Sequence, residues 1–450
     1  MFSPSSLMHL TVFGGIVLRR LAGTSEFVSS LIPNNGNERV QMNQIPFGFS
    51  PQGGDGKPFD MSSLGDMLQQ LGAAMKRGEA DGDSAVSWST IRDVARQAVS
   101  ASGDSSIVES QRKAVADAVG LAQMWLDEQT AFPSSSLKSN AWSRAEWVEN
   151  TLESWKPLIN PVAEGLANTV TEMTSNLAAG EGELPEEMKA MLAPMLGMAK
   201  KMSAVTTGMQ MGNGLAALSA DVLAVSETGL PLVPDFVPTL MPNAIATFAR
   251  ENELSAADLI MYIAARESAL QRLFAANPWL RTEIADLVAA YSRGLSVDHE
   301  RIRETMSSID PSDPSSMQSL MSSGVFQPAT TPEQQRLLER LEFLLALEEG
   351  WVNHVVSQAV GQRLGSIGAL SETMNRRRVA GGPAEKTFAN LVGLELRPRL
   401  LRTATSFWAS VSEARGNEGR DSMWRHPDFL PSAEDLTNPE EFLQNSDYTE

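Results

Sequence analysis

The chain has 450 residues, of which 42% are hydrophobic, a formal net charge of −19 and no cysteine. The negative charge argues against a nucleic-acid partner, because proteins bind phosphate backbones through clustered Lys and Arg. The lack of cysteine excludes disulfides and thiolate metal sites, so any metal would need carboxylates and the four histidines as ligands. A cysteine-free chain is typical of a reducing compartment, and we expect a cytoplasmic protein.

The residue types predict a mainly α fold with few or no strands. Ala, Leu, Met, Glu, Gln and Arg dominate the long periodic stretches, whereas the chain has only three Tyr, and its β-branched residues are thinly spread. The length would allow two or three average domains or one helical body.

Residues 1–60 are predicted to be a tail. The apolar run at residues 10–18 is too short to span a bilayer, and it is followed by Arg19 and Arg20, whereas a signal peptide has its positive charge first. The Gly- and Pro-rich stretch that follows cannot bury enough apolar surface to order itself. Met42 is an alternative start of translation, in which case residues 1–41 would not exist in the protein.

Helical segments are predicted in order along the rest of the chain. Apolar residues at helical spacing indicate helices at 61–77, within 88–130, at 142–157, 184–211, 213–225, 255–276, 278–293, 331–364 and 371–379. Ser255 and Thr331 are predicted N-caps, the first with Asp258 in the capping-box position and the second with Pro332 in the first turn. Residues 228–237 are predicted to form a brief extended piece. We expect an N-terminal helical region at 61–230, a C-terminal helical region at 231–443 and a tail at 444–450.

A methionine stripe lies in one of these helices. Met188, Met191, Met195, Met198 and Met202 are spaced by 3, 4, 3 and 4 residues, which keeps them on one helical face. Core packing is the favoured interpretation. The alternative is an adaptable surface that docks a partner, which would make the protein a helical scaffold.

The segment "RESAL", residues 266–270, has the length and the central glutamate of a zinc-protease H-E-x-x-H motif. That motif works because residues i and i+4 share a helix face, so two imidazoles bind one ion while the glutamate activates the metal-bound water. Here Glu267 occupies the general-base position, but Arg266 and Leu270 occupy the two ligand positions. A guanidinium has no lone pair to donate, and a leucine side chain has no donor atom.

Several longer segments resemble a bacterial zincin-like family of hydrolases described as zinc-dependent metalloproteases. They include "PFGFS" and the blocks at residues 242–281, 341–356, 376–399 and 414–431, and the resemblance covers nearly everything after Met42. It implies a multi-helical zincin-like fold in which Arg266, Glu267 and Leu270 lie on the metal-binding helix. Glu349, in "EEGW", would lie on the helix that supplies the third ligand.

The favoured interpretation is a catalytically impaired member of this family that binds peptide or protein and holds no cofactor. In that case Arg266 could pair with Glu349 or Glu267, so that a guanidinium takes the place of the cation. The alternative is an active hydrolase with zinc in a non-standard site, Glu267 as general base, and Glu349 and His354 among the ligands. Neither interpretation fixes a substrate, a partner or an oligomeric state.

The histidines add little to a metal site. His354 follows Glu349 by five residues, about 140° around a helix, so it is a weak candidate ligand. His299 and His426 are expected to be a surface and a structural residue, and His9 lies in the predicted tail. The helix expected after Pro383, beside a run of arginines, is a minor candidate for anion binding.

Overall fold

The structure, a computed structural model, describes residues 84–178, 186–293, 331–361, 363–379, 381–383, 386, 391 and 400–445. These residues fall in one compact unit, Gln52–Glu450. The predicted tail, the helix at 61–77, His9 and His299 lie outside the described residues. The division into two helical regions at residue 230 stays a prediction.

The described part is mainly helical, as the composition predicted. The N-terminal helices are α1 (Trp88–Ala101), α2 (Glu109–Leu126), α3 (Arg144–Ala178), α4 (Glu186–Asp221), α5 (Pro242–Glu251) and α6 (Ala256–Ala276). The C-terminal helices are α7 (Trp279–Arg293), α8 (Pro332–Val360), α9 (Ile367–Val379), α10 (Leu401–Ser422), α11 (Ala433–Thr437) and α12 (Pro439–Asn445). None of these described helices combines the length and hydropathy needed to cross a bilayer.

Two very short strands are the only sheet among the described residues. Strand β1 (Asn140–Ala141) pairs in parallel with β2 (Thr239–Leu240), with Asn140 opposite Thr239. The extended piece predicted at residues 228–237 is irregular instead. It follows a 3-10 helix, Val225–Thr228, and leads into β2.

The helix end predicted at Pro157 is wrong because tertiary packing overrides a local breaker. The helix expected to stop at Pro157 continues to Ala178 with that proline inside it, packed against α1, α4 and α7. Gly212 does not interrupt α4 either. A Cβ on Gly212 would lie 2.8 Å from the Ile91 carbonyl oxygen, so this glycine allows the backbones of α1 and α4 to approach closely.

The predicted N-caps are present. The Ser255 hydroxyl accepts a hydrogen bond from the Asp258 amide at the start of α6, and Thr331 forms a capping box with Gln334 at the start of α8. Asp258 does not complete its own capping box. Its carboxylate accepts a hydrogen bond of 2.5 Å from the Ser366 hydroxyl instead.

The methionine stripe is only partly within the described side chains. Those of Met188, Met191, Met195 and Met198 lie outside them. Met202 is 45% exposed and Met209 is 37% exposed, whereas Met211 is buried.

Helix α6 is the centre of the fold. It packs against α2, α5 and α8 and contacts β2, and every residue from Tyr262 to Phe274 is buried. A helix buried on all faces has no solvent side for its polar residues. The charged and polar side chains of α6 must therefore find partners inside the protein, which determines the site described below.

Helix α8, which packs against α6, also packs closely against α10. A Cβ on Gly350 would lie 2.6 Å from the Ala404 Cβ and 2.9 Å from the Thr405 nitrogen. Only a residue without a side chain fits at this crossing.

We expect Gly350→Ala to lower the free energy of unfolding by about 1–3 kcal/mol, since overpacking forces the two helices apart. Gly120→Ala is the matched control, because Gly120 lies in α2 with nothing within 4 Å of the added methyl group. It should be neutral or stabilise by up to about 1 kcal/mol through helix propensity. Urea unfolding of both variants tests the expectation, and equal effects would contradict it.

Candidate functional site

An ion pair between α6 and α8 lies at the centre of the candidate site. The Arg266 guanidinium, with its side chain 6% exposed, forms an ion pair through Nη2 with Glu349 Oε1, whose side chain is 19% exposed. The structure therefore brings together two residues that lie 83 positions apart in the chain. Of the two pairings expected for Arg266, the one with Glu349 is present.

Asn353 completes the surroundings of the guanidinium. Arg266 Nη1 donates a hydrogen bond of 2.6 Å to Asn353 Oδ1, and the guanidinium carbon lies 5.9 Å from the centre of the Tyr262 ring. Sequence reasoning missed Asn353, although it follows Glu349 by four residues and so shares its helix face. That spacing was the signal that could have found it.

The neighbours of Arg266 keep its side chain positively charged. Burial by itself lowers the pKa of Arg266, but the Glu349 carboxylate and the Tyr262 hydroxyl raise it, and the net shift is upward. The guanidinium therefore stays protonated and acts as a permanent internal cation.

Glu267 has other hydrogen-bond partners than its neighbour Arg266. Its carboxylate accepts hydrogen bonds from the Ser226 amide at 3.1 Å, the Ser226 hydroxyl at 3.3 Å, the Thr239 amide at 3.4 Å and the Gln271 side chain at 2.8 Å. Ser226 belongs to the 3-10 helix and Thr239 to β2. Glu267 thus ties the irregular segment between α4 and α5 to α6.

Burial raises the pKa of Glu267 to about 7, although the hydrogen bonds from Gln271, Ser226 and Thr239 oppose the shift. A carboxyl group that titrates near neutrality is a common property of catalytic acids and bases, but buried structural networks produce it too.

A small, partly open recess lies beside these residues. It has room for about one water molecule and is lined by Ala224, Glu227, Ile263, Arg266, Glu267, Leu270 and Met374. Leu270, at the second ligand position of the motif, contributes an apolar wall. The lining of the recess therefore combines charged and hydrophobic side chains.

His354 lies beside another pair of charges. It is buried, and its charged neighbours are Arg420 and Asp421. Burial and, to a smaller extent, the charge of Arg420 lower the pKa of His354 to about 4, against the opposing effect of Asp421. No described residue makes a hydrogen bond to its Nε2.

The remaining candidates have local roles or lie outside the structure. His426 Nδ1 accepts a hydrogen bond from the Asp428 amide and so caps the short 3-10 helix Pro427–Phe429. Most of the segment that follows Pro383, the candidate anion site, lies outside the described residues.

The donor atoms at the motif do not fit a zinc ion. Arg266 and Leu270 offer no lone pair, Glu349 is engaged by Arg266, and Glu267 is held by three other residues. Within the described ranges, no group of three or more His, Asp and Glu side chains is arranged to hold a metal. The assignments of Glu267 as general base and of Glu349 and His354 as ligands stay predictions.

Comparison with known proteins identifies the family. The model of a family described as zincin-like metallopeptidases matches residues 86–443, and the chain belongs to that family. A solved structure described as a "putative hydrolase with a novel fold", from Chloroflexus aurantiacus, is similar with a TM-score of 0.54 and 21% identity. The match covers 81% of this chain and 100% of that one, and it shows a shared fold. No curated protein matches the chain. The resemblance noted from the sequence is confirmed.

We expect Arg266→Ala to lower the free energy of unfolding by about 3–5 kcal/mol, because the mostly buried Glu349 carboxylate loses its counter-charge. Arg376→Ala is the matched control, since Arg376 is 73% exposed and pairs with Glu372 one helical turn away. Its effect should be within about 0.5 kcal/mol. Thermal and urea unfolding measure both. A loss for Arg266→Ala no larger than that of the control would show that the pair does not hold α6 against α8.

The pKa of Glu267 predicts a pH-dependent stability. Because folding raises its pKa from 4.5 to about 7, the folded state binds more protons between these values, and stability falls as pH rises through that window. His354 acts in the opposite sense: its pKa falls from 6.5 to about 4, so its contribution rises with pH between those values.

The variant Glu267→Gln separates the two effects. Its stability relative to the wild type should increase by on the order of 3 kcal/mol between pH 4.5 and 7.5, because glutamine imitates the protonated carboxyl group at every pH. Glu418→Gln, on the exposed side of α10, should follow the wild-type curve. Urea unfolding across this range measures the difference. A constant offset between Glu267→Gln and the wild type would refute the prediction.

Proposed function

We propose that this protein is a catalytically impaired member of the zincin-like metallopeptidase family that binds a peptide or protein segment without cleaving it. The observation that carries the proposal is the ion pair between Arg266 and Glu349. It supplies a fixed positive charge between the two helices that the family resemblance identifies as the metal-binding pair.

The charge arrangement supports the loss of catalysis. A metal-dependent peptidase needs ligands with free lone pairs and a carboxylate that can accept a proton from the metal-bound water. Here the Arg266 guanidinium forms an ion pair with Oε1 of Glu349, and the Glu267 carboxylate already accepts four hydrogen bonds. Peptide binding follows from the substrate class named by the family and from the recess at this site.

An active hydrolase is the second candidate. The observation in its favour is the Glu267 pKa of about 7, which suits a general base. Such an enzyme would need the hydrogen bonds from Ser226, Thr239 and Gln271 to give way before Glu267 could take a proton. The impaired member requires no such rearrangement.

A helical scaffold is the third candidate. The exposure of Met202 and Met209 on α4 favours it, because flexible methionine side chains adapt to different partners. Under any of these functions, the net charge of −19 argues against nucleic acid as the partner, and the cysteine-free composition supports a cytoplasmic location.

Metal analysis distinguishes the impaired member from the enzyme. We expect the wild type, incubated with zinc and dialysed, to retain less than about a tenth of an equivalent. We expect the double variant Arg266→His/Leu270→His to retain about one equivalent, because two imidazoles at i and i+4 would then face Glu349. Each single variant is a matched control and should bind far less than the double variant.

The outcomes bear separately on the two parts of the proposal. Stoichiometric zinc in the wild type, or turnover of a mixed peptide library by it, would refute catalytic impairment. The same fluorescent library tests binding by anisotropy. Saturable binding without hydrolysis supports the proposed function, and the absence of any binding peptide would refute it.

A further inference from the structure

Helix α9 covers the recess with a narrow apolar stripe. Leu370 and Met374 are buried and Ile367 is half-buried, whereas the other described side chains of this helix are exposed or only partly buried. Met374 forms part of the recess lining, together with Ala224 and Glu227. The main helical contact of α9 is α6. A helix attached by so small an apolar surface is a candidate for local opening.

Arg377 ties the C-terminal end of α9 to the 3-10 helix that carries Glu227 and to the end of α4. Its guanidinium pairs with Glu227 at 2.8 Å, donates a hydrogen bond to the Asp221 carbonyl oxygen and lies 4.9 Å from the centre of the Phe248 ring. The side chain of Arg377 is 16% exposed and that of Glu227 is 9% exposed, so solvent screens this ion pair only weakly.

Glu227 is fixed on the far side of this contact. Its Oε2 accepts a hydrogen bond of 2.6 Å from the Leu223 amide, and Glu227 itself lines the recess. Arg377 therefore connects α9 to a lining residue that is itself hydrogen-bonded to the backbone. Lys386 also pairs with Asp221 at 2.8 Å, but both side chains are about half exposed, so this second tie contributes little.

The other end of α9 is joined directly to the site. The short connection 361–366 leads from α8, which carries Glu349, into α9, and it contains Gly361 and Gly365. Ser366 bonds to Asp258 on α6. One end of α9 is thus joined to the two site helices, and Arg377 ties the other end to Glu227 and Asp221.

We infer that α9 is a lid over the recess, hinged in the connection that carries Gly361 and Gly365 and latched by the Arg377–Glu227 ion pair. Release of the latch uncovers Arg266, Glu267 and Leu270. The inference rests on the proposed function only where it names a peptide segment as the ligand that enters the recess. The opening of α9 is independent of any ligand.

The absence of cysteine allows a direct test with a single introduced thiol. Leu270→Cys places the thiol in the recess wall, and its rate of reaction with a maleimide reports how often the lid opens. We expect the rate to rise by at least about tenfold when Arg377→Ala is added, because the variant loses a charge-assisted contact that only the closed state makes. Glu227→Gln removes the charge from the other side of the latch and should also accelerate labelling.

Two controls separate lid opening from general loosening. Arg340→Ala removes an ion pair, with Glu283 at 3.6 Å, and a ring contact, with Phe343 at 5.9 Å, away from the recess and the hinge. It should leave the labelling of Leu270→Cys unchanged. Ala269→Cys places a thiol on α6 at a buried position outside the recess lining, and Arg377→Ala should not accelerate its labelling.

The inference would be overturned if neither latch variant accelerated labelling at residue 270, or if residues 269 and 270 became reactive to the same extent. Because the test uses no metal and no peptide, its failure would leave the proposed function standing. Failure of the zinc or peptide experiment would likewise leave the lid intact.

Discussion

The structure depends on neutralising one guanidinium, which belongs to a helix that is buried on every side. Arg266 lies in α6, where solvent cannot stabilise its charge, and moving an unpaired ion into such surroundings costs several kcal/mol. Glu349 supplies the opposite charge, and Asn353 accepts one of the remaining hydrogen bonds. Because both partners belong to α8, the position of α8 along α6 is fixed by this contact. A buried ion pair adds little net stability, but it disfavours any register in which the charges do not meet.

The same rule applies at two other buried charges. Arg272, one turn and a half further along α6, donates hydrogen bonds to Gln123 and Asp127 and to the Phe132 carbonyl oxygen. Asp421, at the end of α10, accepts bonds from Thr130, Trp351 and Arg420. Both clusters converge on the segment between α2 and β1. Saturated polar contacts therefore hold this connection to the core, where apolar packing alone would not define its path.

Under the proposed function, Glu267 has a structural rather than a catalytic role. Glu267 keeps the position that a zinc peptidase uses for its general base, yet its four hydrogen bonds go to the 3-10 helix, to β2 and to its own helix. Under the proposed function, a guanidinium takes the place of one metal ligand and a leucine that of another, so the family fold persists without metal chemistry. In our proposal, the recess binds a peptide segment, and α9 controls access to it.

The sequence by itself determined the helical class, the caps at Ser255 and Thr331, the family and the residues at the motif, because these depend on residue type and on spacing along one helix. It also suggested the partner of Arg266, since the family resemblance related two distant helices. Tertiary structure decided the rest. Pro157 and Gly212 do not end their helices, because packing between helices outweighs local preference. Asn353, the four bonds of Glu267 and the latch of Arg377 join residues far apart in the chain, and only folding brings their side chains within hydrogen-bonding distance.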